Sequence, residues 1–325
     1  MIEVKHLTKR YGDQLAVSDL SFTITPGQIY GFLGPNGAGK TTTMNIITGC
    51  LAATAGDVIV GGYDIFEQPK EAKKLIGYLP ELPPLYMEQT VLEYLYFVAR
   101  AKGLRSGEVD EEIDKVVEET HIEDVEEKLI RHLSKGYRQR VGIAQALLGN
   151  PEIIILDEPT VGLDPAQIIE IRELIKKLGE KHTVILSSHI LSEIQAICDM
   201  VLIIHKGKLV AFDRPENLGQ ALSAGNTIEI CAETSAEELR ELLQPVGKIS
   251  SIDVTEETEE GCSAVLNVSE EDPGEICREV FLAFARNEKV LRKLNPIHAT
   301  LEDIFMEMTG AAPEDVSAKE EVENA

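Results

Sequence analysis

The sequence predicts an α/β protein followed by a smaller α+β domain. Three observations carry this. From residue 28 to about residue 211, short apolar runs alternate with helix-period stretches, the pattern of a largely parallel sheet flanked by helices. A glycine-rich turn, Gly34 to Gly39, stands between an apolar run and a helical stretch. Beyond residue 221 the order changes to βαββαβ, which predicts a ferredoxin-like unit.

Ile2 to Ile24 alternates and is broken by Tyr11-Gly12-Asp13 and Thr25-Pro26-Gly27, which predicts short antiparallel strands. Gln28 to Leu33 is a short buried strand, and a helix starts near Lys40. Asp57 to Val60, before Gly61-Gly62, is another strand. A helical part spans about residues 83–148 and opens after Leu82-Pro83-Pro84. Thr90 caps Val91 to Lys102, Val109 to Thr120 follows, and a third helix runs from about Ser134 to Leu148. Ile153 to Leu156 is a fully apolar strand. Pro165 to Leu178 is a helix, Thr183 to Leu186 a strand and Leu191 to Cys198 a helix. Val201 to Ile204 and Lys208 to Ala211 form a closing hairpin.

The first domain is therefore expected over residues 1–220 and the second over 221–310. The second should hold strands at Thr227 to Cys231, Ile249 to Val254, Ala264 to Val268 and Val290 to Leu294. Its helices are Ala236 to Leu243 and Glu275 to Arg286, with one more from Thr300 to about Thr309. Residues 311–325 are acidic and poor in apolar side chains, which predicts disorder.

Composition narrows the function classes. Of 325 residues, 43% are hydrophobic and 27% charged, ordinary for a globular protein. There are 31 basic and 56 acidic residues, and those from 221 onward hold 8 of the bases and 24 of the acids. A net charge of -25 is poorly suited to binding nucleic-acid phosphates and does not by itself suggest adhesion to anionic lipid. Trp is absent and aromatics are only 5%, which argues against a base-stacking platform. The five cysteines show neither zinc nor redox spacing and fit a reducing cytosol. The opening MIEVKHLTKRYG lacks the apolar run of a secretory signal, and no stretch approaches the ~20 apolar residues of a membrane span.

Two motifs carry chemistry. Gly34-Pro35-Asn36-Gly37-Ala38-Gly39-Lys40-Thr41 matches G-x-x-x-x-G-K-[ST], with a strand before it and a helix after it. Glycines let backbone N–H groups turn inward around phosphates, and the helix N-terminus adds positive partial charge. Lys40 would reach the outer phosphates, and the Thr41 hydroxyl would ligate Mg²⁺. Ile153 to Leu156 then ends in Asp157 and Glu158. Asp157 is placed to hold Mg²⁺, and Glu158 to polarise a water as general base.

Leu133-Ser134-Lys135-Gly136-Tyr137-Arg138-Gln139-Arg140 lies about 20 residues before the Asp157-Glu158 pair. With the two motifs above, it makes the chain resemble the ABC ATPase family over about residues 1–220. The resemblance implies a cassette with antiparallel β and helical subdomains that binds ATP with Mg²⁺ and hydrolyses it. Its nucleotide-binding candidates run from Gly34 to Thr41 and include Thr42. Tyr11 matches the aromatic residue that stacks on adenine, and His189, in Ser187-Ser188-His189, the switch histidine that contacts the γ-phosphate. Asp164, in Gly162-Leu163-Asp164, matches the loop that communicates across a dimer. Ser134 and Gly136 would face ATP bound to the other protomer, which implies a head-to-tail dimer with a second ATPase subunit, expected to be identical.

Glu81 stands where most members have Gln, Lys135 replaces a Gly, and Tyr137 replaces a Gln. Glu81 could still ligate the metal or hold the attacking water. The LSKGYRQR form and the extra domain resemble the ATP-binding subunits of ABC-2 type exporters, gliding-motility-associated subunits included. That branch implies a separate membrane permease as partner, with this chain peripheral on the cytoplasmic face of the membrane. The other reading is a soluble regulatory ABC ATPase not coupled to transport. Lys40 and Ser134 are about 95 residues apart with no sustained heptads between them, which speaks against DNA-organising members. One cassette in an acidic chain speaks against the translation type.

Overall fold

The computed structural model describes residues 1–221, 226–258, 261–268 and 273–297. The expected helix from Thr300 and the acidic tail lie outside them. The chain divides into two compact units, Met1–Pro215 and Glu216–Ala325.

The first unit is built on two sheets. One is antiparallel, with order β2-β1-β4-β5: β1 (Ile2–Tyr11), β2 (Gln14–Ile24), β4 (Ala55–Val60) and β5 (Tyr63–Asp64). The other has six strands in the order β10-β9-β3-β8-β7-β6: β3 (Ile29–Leu33), β6 (Ile76–Leu79), β7 (Ile153–Leu156), β8 (Thr183–Ser188), β9 (Met200–His205) and β10 (Lys208–Asp213). All its pairings are parallel except the β9–β10 hairpin. Helix α1 (Lys40–Ile47) buries Met44, Ile46 and Ile47 between the sheets, in a core shared with Ile2, Val4, Phe32 and Ile155. α2 (Pro69–Lys74) leads into β6.

Strand alternation separates the two faces of β3. Tyr30 and Phe32 face the shared core. A side chain on Gly31 would meet Ile194 and Cys198 at 2.8 Å, so the opposite face lies under the segment that holds those two residues. The helical part comprises α3 (Val91–Ala101), α4 (Val109–Thr120) and α5 (Lys135–Leu147). α6 (Pro165–Gly179) and α7 (Leu191–Ile197) follow β7 and β8.

The N-terminal strands are longer than expected, at 10 and 11 residues. Register shifts in their pairing, and positive φ at His6 and Asp19, interrupt the alternation and make the sequence look like shorter pieces. β5, α2 and β6 have no counterpart among the expectations. β6 is only four residues long and carries Gly77, whose Cβ would stand 2.3 Å from the Ala146 carbonyl oxygen. The glycine weakens the strand signal and admits α5.

α8 (Pro215–Ala221) begins on the last residue of the first unit; the second unit continues with β11 (Asn226–Ala232), α9 (Ala236–Leu243), β12 (Ile249–Thr258), β13 (Gly261–Val268), α10 (Pro273–Arg286) and β14 (Leu291–Ile297). The sheet is antiparallel with order β12-β13-β11-β14. Ile228, Ile230 and Leu266 pack with Leu239, Leu243, Ile276 and Phe284, which puts both helices on one face of a split βαβ arrangement.

Candidate nucleotide site

Parallel strands deliver their following loops to one edge of a sheet. Here β8 lies between β3 and β7, with β6 beyond β7. Leu33 pairs with Ser188, Leu186 with Leu156, and Leu156 with Leu79. The glycine loop, Glu81, Asp157-Glu158 and His189 therefore leave the sheet at the same carboxyl edge, where open α/β sheets bind ligands.

The glycine loop is fixed by its neighbours. Gly39 has φ 108°, and a Cβ there would lie 2.7 Å from the Ala16 carbonyl oxygen, so this position excludes a side chain. Gly207 N–H donates to Ala38 O at 2.9 Å, and Ser18 N–H donates to Gly207 O at 2.8 Å, which ties the loop to β2 and to the β9–β10 turn. Gly37, with φ 81°, has no heavy atom within 4 Å of its would-be Cβ, leaving that side open to an incoming group. Lys40 is 5% exposed; its ammonium donates to Gly34 O at 2.7 Å and lies 3.4 Å from Glu158 Oε1.

Asp157 is fully buried. Its Oδ1 accepts from Ser187 Oγ at 2.6 Å and from Thr41 Oγ1 at 3.3 Å, whereas Oδ2 has no hydrogen-bond partner. Burial pushes its carboxyl above the usual range despite these two donors, and the Glu158 and Glu81 charges add to the rise. Glu158 is 7% exposed, and its Oε2 lies 3.0 Å from His189 Nδ1. Burial alone would raise its pKa, but the His189 hydrogen bond and the Lys40 ammonium outweigh it and hold the carboxyl below its ordinary value. The same hydrogen bond raises the His189 imidazole, against the opposing effect of burial.

Lys40, Thr41, Asp157, Glu158 and His189 thus form one connected network. The other candidates stand around it. Tyr11, 48% exposed, ends β1, with the Lys9 ammonium 5.1 Å from its ring centroid. Glu81 is exposed at the end of β6 and close enough to act electrostatically on Asp157. Ser134 caps α5, accepting from Tyr137 N–H at 3.3 Å, and is exposed. Gly136 admits Gln167, whose Cδ would sit 2.8 Å from a Cβ there. Asp164 caps α6 through Gln167 N–H at 2.9 Å.

Two of the substituted signature positions have local partners. Tyr137 Oη donates to Asp124 Oδ2 at 2.9 Å, and Lys135 Nζ passes where a Cβ on Gly162 would lie. Sequence reasoning missed Ser187. Its hydroxyl accepts from Glu158 N–H at 2.8 Å and donates to Asp157 Oδ1 at 2.6 Å, fixing the Glu158 backbone and the Asp157 carboxylate together. Nothing in its local sequence distinguishes that serine from Ser188.

A glycine-rich loop opening a helix, facing a strand-end Asp-Glu pair and a histidine, defines a P-loop nucleotide-binding core. Residues 17–161 match the family described as ABC transporter. The chain is 36% identical over 320 residues to the uncharacterized ABC transporter ATP-binding protein YhcH of Bacillus subtilis, covering 97% of this chain and 98% of that one. It is 31% identical over 311 residues to the Nod factor export ATP-binding protein I of Cupriavidus metallidurans, covering 95% and 97%. A solved dimeric structure of the ATP-binding cassette MJ0796, in a post-hydrolysis state bound to ADP and Pi, superposes with a TM-score of 0.60 at 26% identity, covering 66% of this chain and 98% of the cassette. The chain belongs to the ATP-binding subunits of ABC transporters and is an ATPase.

Proposed function

We propose that this chain hydrolyses ATP between two head-to-tail subunits to drive an ABC-2 type exporter, and that Glu158 is the general base. The carrying observation is the placement of Glu158 between Lys40, at 3.4 Å, and His189, at 3.0 Å. Both partners are cations or hydrogen-bond donors suited to a γ-phosphate. On binding, the phosphate takes over Lys40 and His189, and Glu158 is released toward the attacking water. Water oxygen then bonds to the γ-phosphorus, the bond to the bridging oxygen breaks, and Glu158 accepts the water proton. ADP and phosphate leave.

The glycine loop and Thr42 bind the phosphates, and Tyr11 stacks on adenine through the ring face that Lys9 leaves free. Ser134 and Gly136 complete the site on the partner's ATP, with Asp164 at the shared boundary. The dimeric MJ0796 cassette supports that assembly.

The residues fit Mg²⁺. Asp157 offers a buried oxygen without a hydrogen-bond partner, beside the Thr41 hydroxyl, and a hard cation prefers such oxygen donors. Thr41 and Asp157 would hold it, with Glu81 contributing directly or through water. When bound, Mg²⁺ offsets negative charge on the phosphate oxygens. Among the described residues no group of three or more His, Cys, Asp or Glu side chains converges as a metal site, so phosphate oxygens and water would complete the coordination.

Among the described residues no helix is long and apolar enough to cross a membrane. The family match and the exporter relative support a membrane-spanning permease as partner, in a separate chain, with this subunit on its cytoplasmic side. Leu82, Tyr86, Met87 and Phe97 support docking there: all are exposed, and the Tyr86 and Phe97 rings lie 5.0 Å apart. Tyr94, by contrast, is buried and edge-on to Tyr86 at 5.8 Å. The full-length match to a Nod factor export subunit supports export as the direction.

Affinity purification of the tagged chain from its native membrane tests the assembly. A polytopic membrane protein should co-purify and raise the ATPase rate. A chain recovered alone, with an ATPase rate indifferent to added membrane fraction, would favour the uncoupled regulatory reading.

A further inference from the structure

We propose that Glu193 is a positioning residue for ATP hydrolysis, its carboxylate clamping Thr160 and Ser188 so that Glu158 and His189 are held in register. This rests on the roles assigned to Glu158 and His189 above.

Glu193 lies on α7 and is 2% exposed. Its Oε2 accepts from Thr160 Oγ1 at 2.7 Å and from Ser188 Oγ at 2.9 Å. Thr160 is two residues beyond Glu158, and Ser188 immediately precedes His189. Ser188 Oγ also accepts from Ile190 N–H at 3.0 Å, which bends the chain around His189. One carboxylate oxygen thus joins the loop after β7 to the last residue of β8, on either side of the Glu158–His189 hydrogen bond.

The other oxygen behaves differently. Glu193 Oε1 stands 3.6 Å from Arg172 Nη2 without a hydrogen bond, and Arg172 Nε is also buried without a partner. A buried carboxylate retained only to hold the fold is normally fully paired, because unpaired burial is costly. Here the clamp to Thr160 and Ser188 is complete while the ion pair to α6 is half made. Arg172 belongs to the helix capped by Asp164, so a small shift of α6 would tighten or loosen the pair. The clamp therefore connects the loop expected at the dimer boundary to the histidine that meets the γ-phosphate.

The test compares kcat and KM for ATP in the full-length chain, with thermal melting of each variant. Glu193→Ala should lower kcat by about 10–100-fold, the scale of a displaced catalytic pair, while KM stays within about threefold. Glu193→Gln keeps a carbonyl oxygen that both hydroxyls can share, and should restore kcat to within about fivefold of the parent. Should Glu193→Ala not fold, the Thr160→Val, Ser188→Ala double variant removes both donors without emptying the site and should show the same kcat loss. Wild-type kcat in a folded Glu193→Ala or double variant would overturn the proposal. So would a Gln variant as impaired as Ala whose melting temperature falls in step. A Glu158→Gln control that hydrolyses ATP normally would overturn it too, by removing the site reading beneath it.

Discussion

Glu158 has φ 49°, in the left-handed region that costs a non-glycine residue about 1–2 kcal/mol. Its N–H donates to Ser187 Oγ, and its carboxylate reaches Lys40 and His189, so the surroundings hold the strained backbone in place. Glu158→Gln should keep ATP binding and lose about 10²–10⁴-fold in hydrolysis, read as steady-state phosphate release. His189 gives a pH signature. The Glu158 bond raises its folded pKa, so the pair's contribution to stability is fully present below the unfolded imidazole value and fades as pH rises through the folded one. The His189 ring resonances should titrate above 6.5, and the midpoint should drop in Glu158→Gln. Glu81 is exposed and adds negative charge beside Asp157. Glu81→Gln should keep substantial ATPase activity and Glu81→Ala should lose more; equal rates would make the position structural. The contiguous motifs were legible because backbone geometry fixes their residue types. Ser187, Thr160 and Glu193 were not, because they meet the site through space from three different elements.

At the scale of elements, helices with chemical punctuation were readable and short strands were not. Thr90 and Glu93 form a reciprocal capping box, with Glu93 N–H donating to Thr90 Oγ1 at 3.2 Å and Thr90 N–H to Glu93 Oε2 at 2.9 Å. The pair stands in the sequence at the spacing that caps a helix, and α3 begins at Val91 as expected. Thr90→Ala should cost about 0.5–2 kcal/mol in chemical denaturation, with little effect on ATP affinity. β6 escaped because four residues with a central glycine carry almost no periodicity, although the strand carries Glu81 to the site. The exposed aromatic face beside it bears on coupling. Tyr86→Glu with Phe97→Glu should abolish co-purification of the permease and leave nucleotide binding intact; unchanged co-purification would remove that face from the docking surface.

At the scale of the whole molecule, the two units differ in what their sequences disclose. The first carries every candidate phosphate contact before residue 190, each announced by a motif. The second shows its topology through strand and helix order, but its purpose through nothing comparable. Its cysteines are buried at Cys262 and half-buried at Cys231 and Cys277, and residues 221–325 hold 24 acidic against 8 basic residues. Removing residues 221–325, which hold no candidate phosphate contact, should leave ATP affinity near normal in calorimetry. The central claim, that two subunits share each ATP, is tested most directly by the mass of purified Glu158→Gln in light scattering, with and without ATP and Mg²⁺. A monomer that becomes a dimer only with ATP, and reverts when Ser134 is changed to Arg, is the expected result. ATP bound stoichiometrically to a protein that stays monomeric at all concentrations would contradict it.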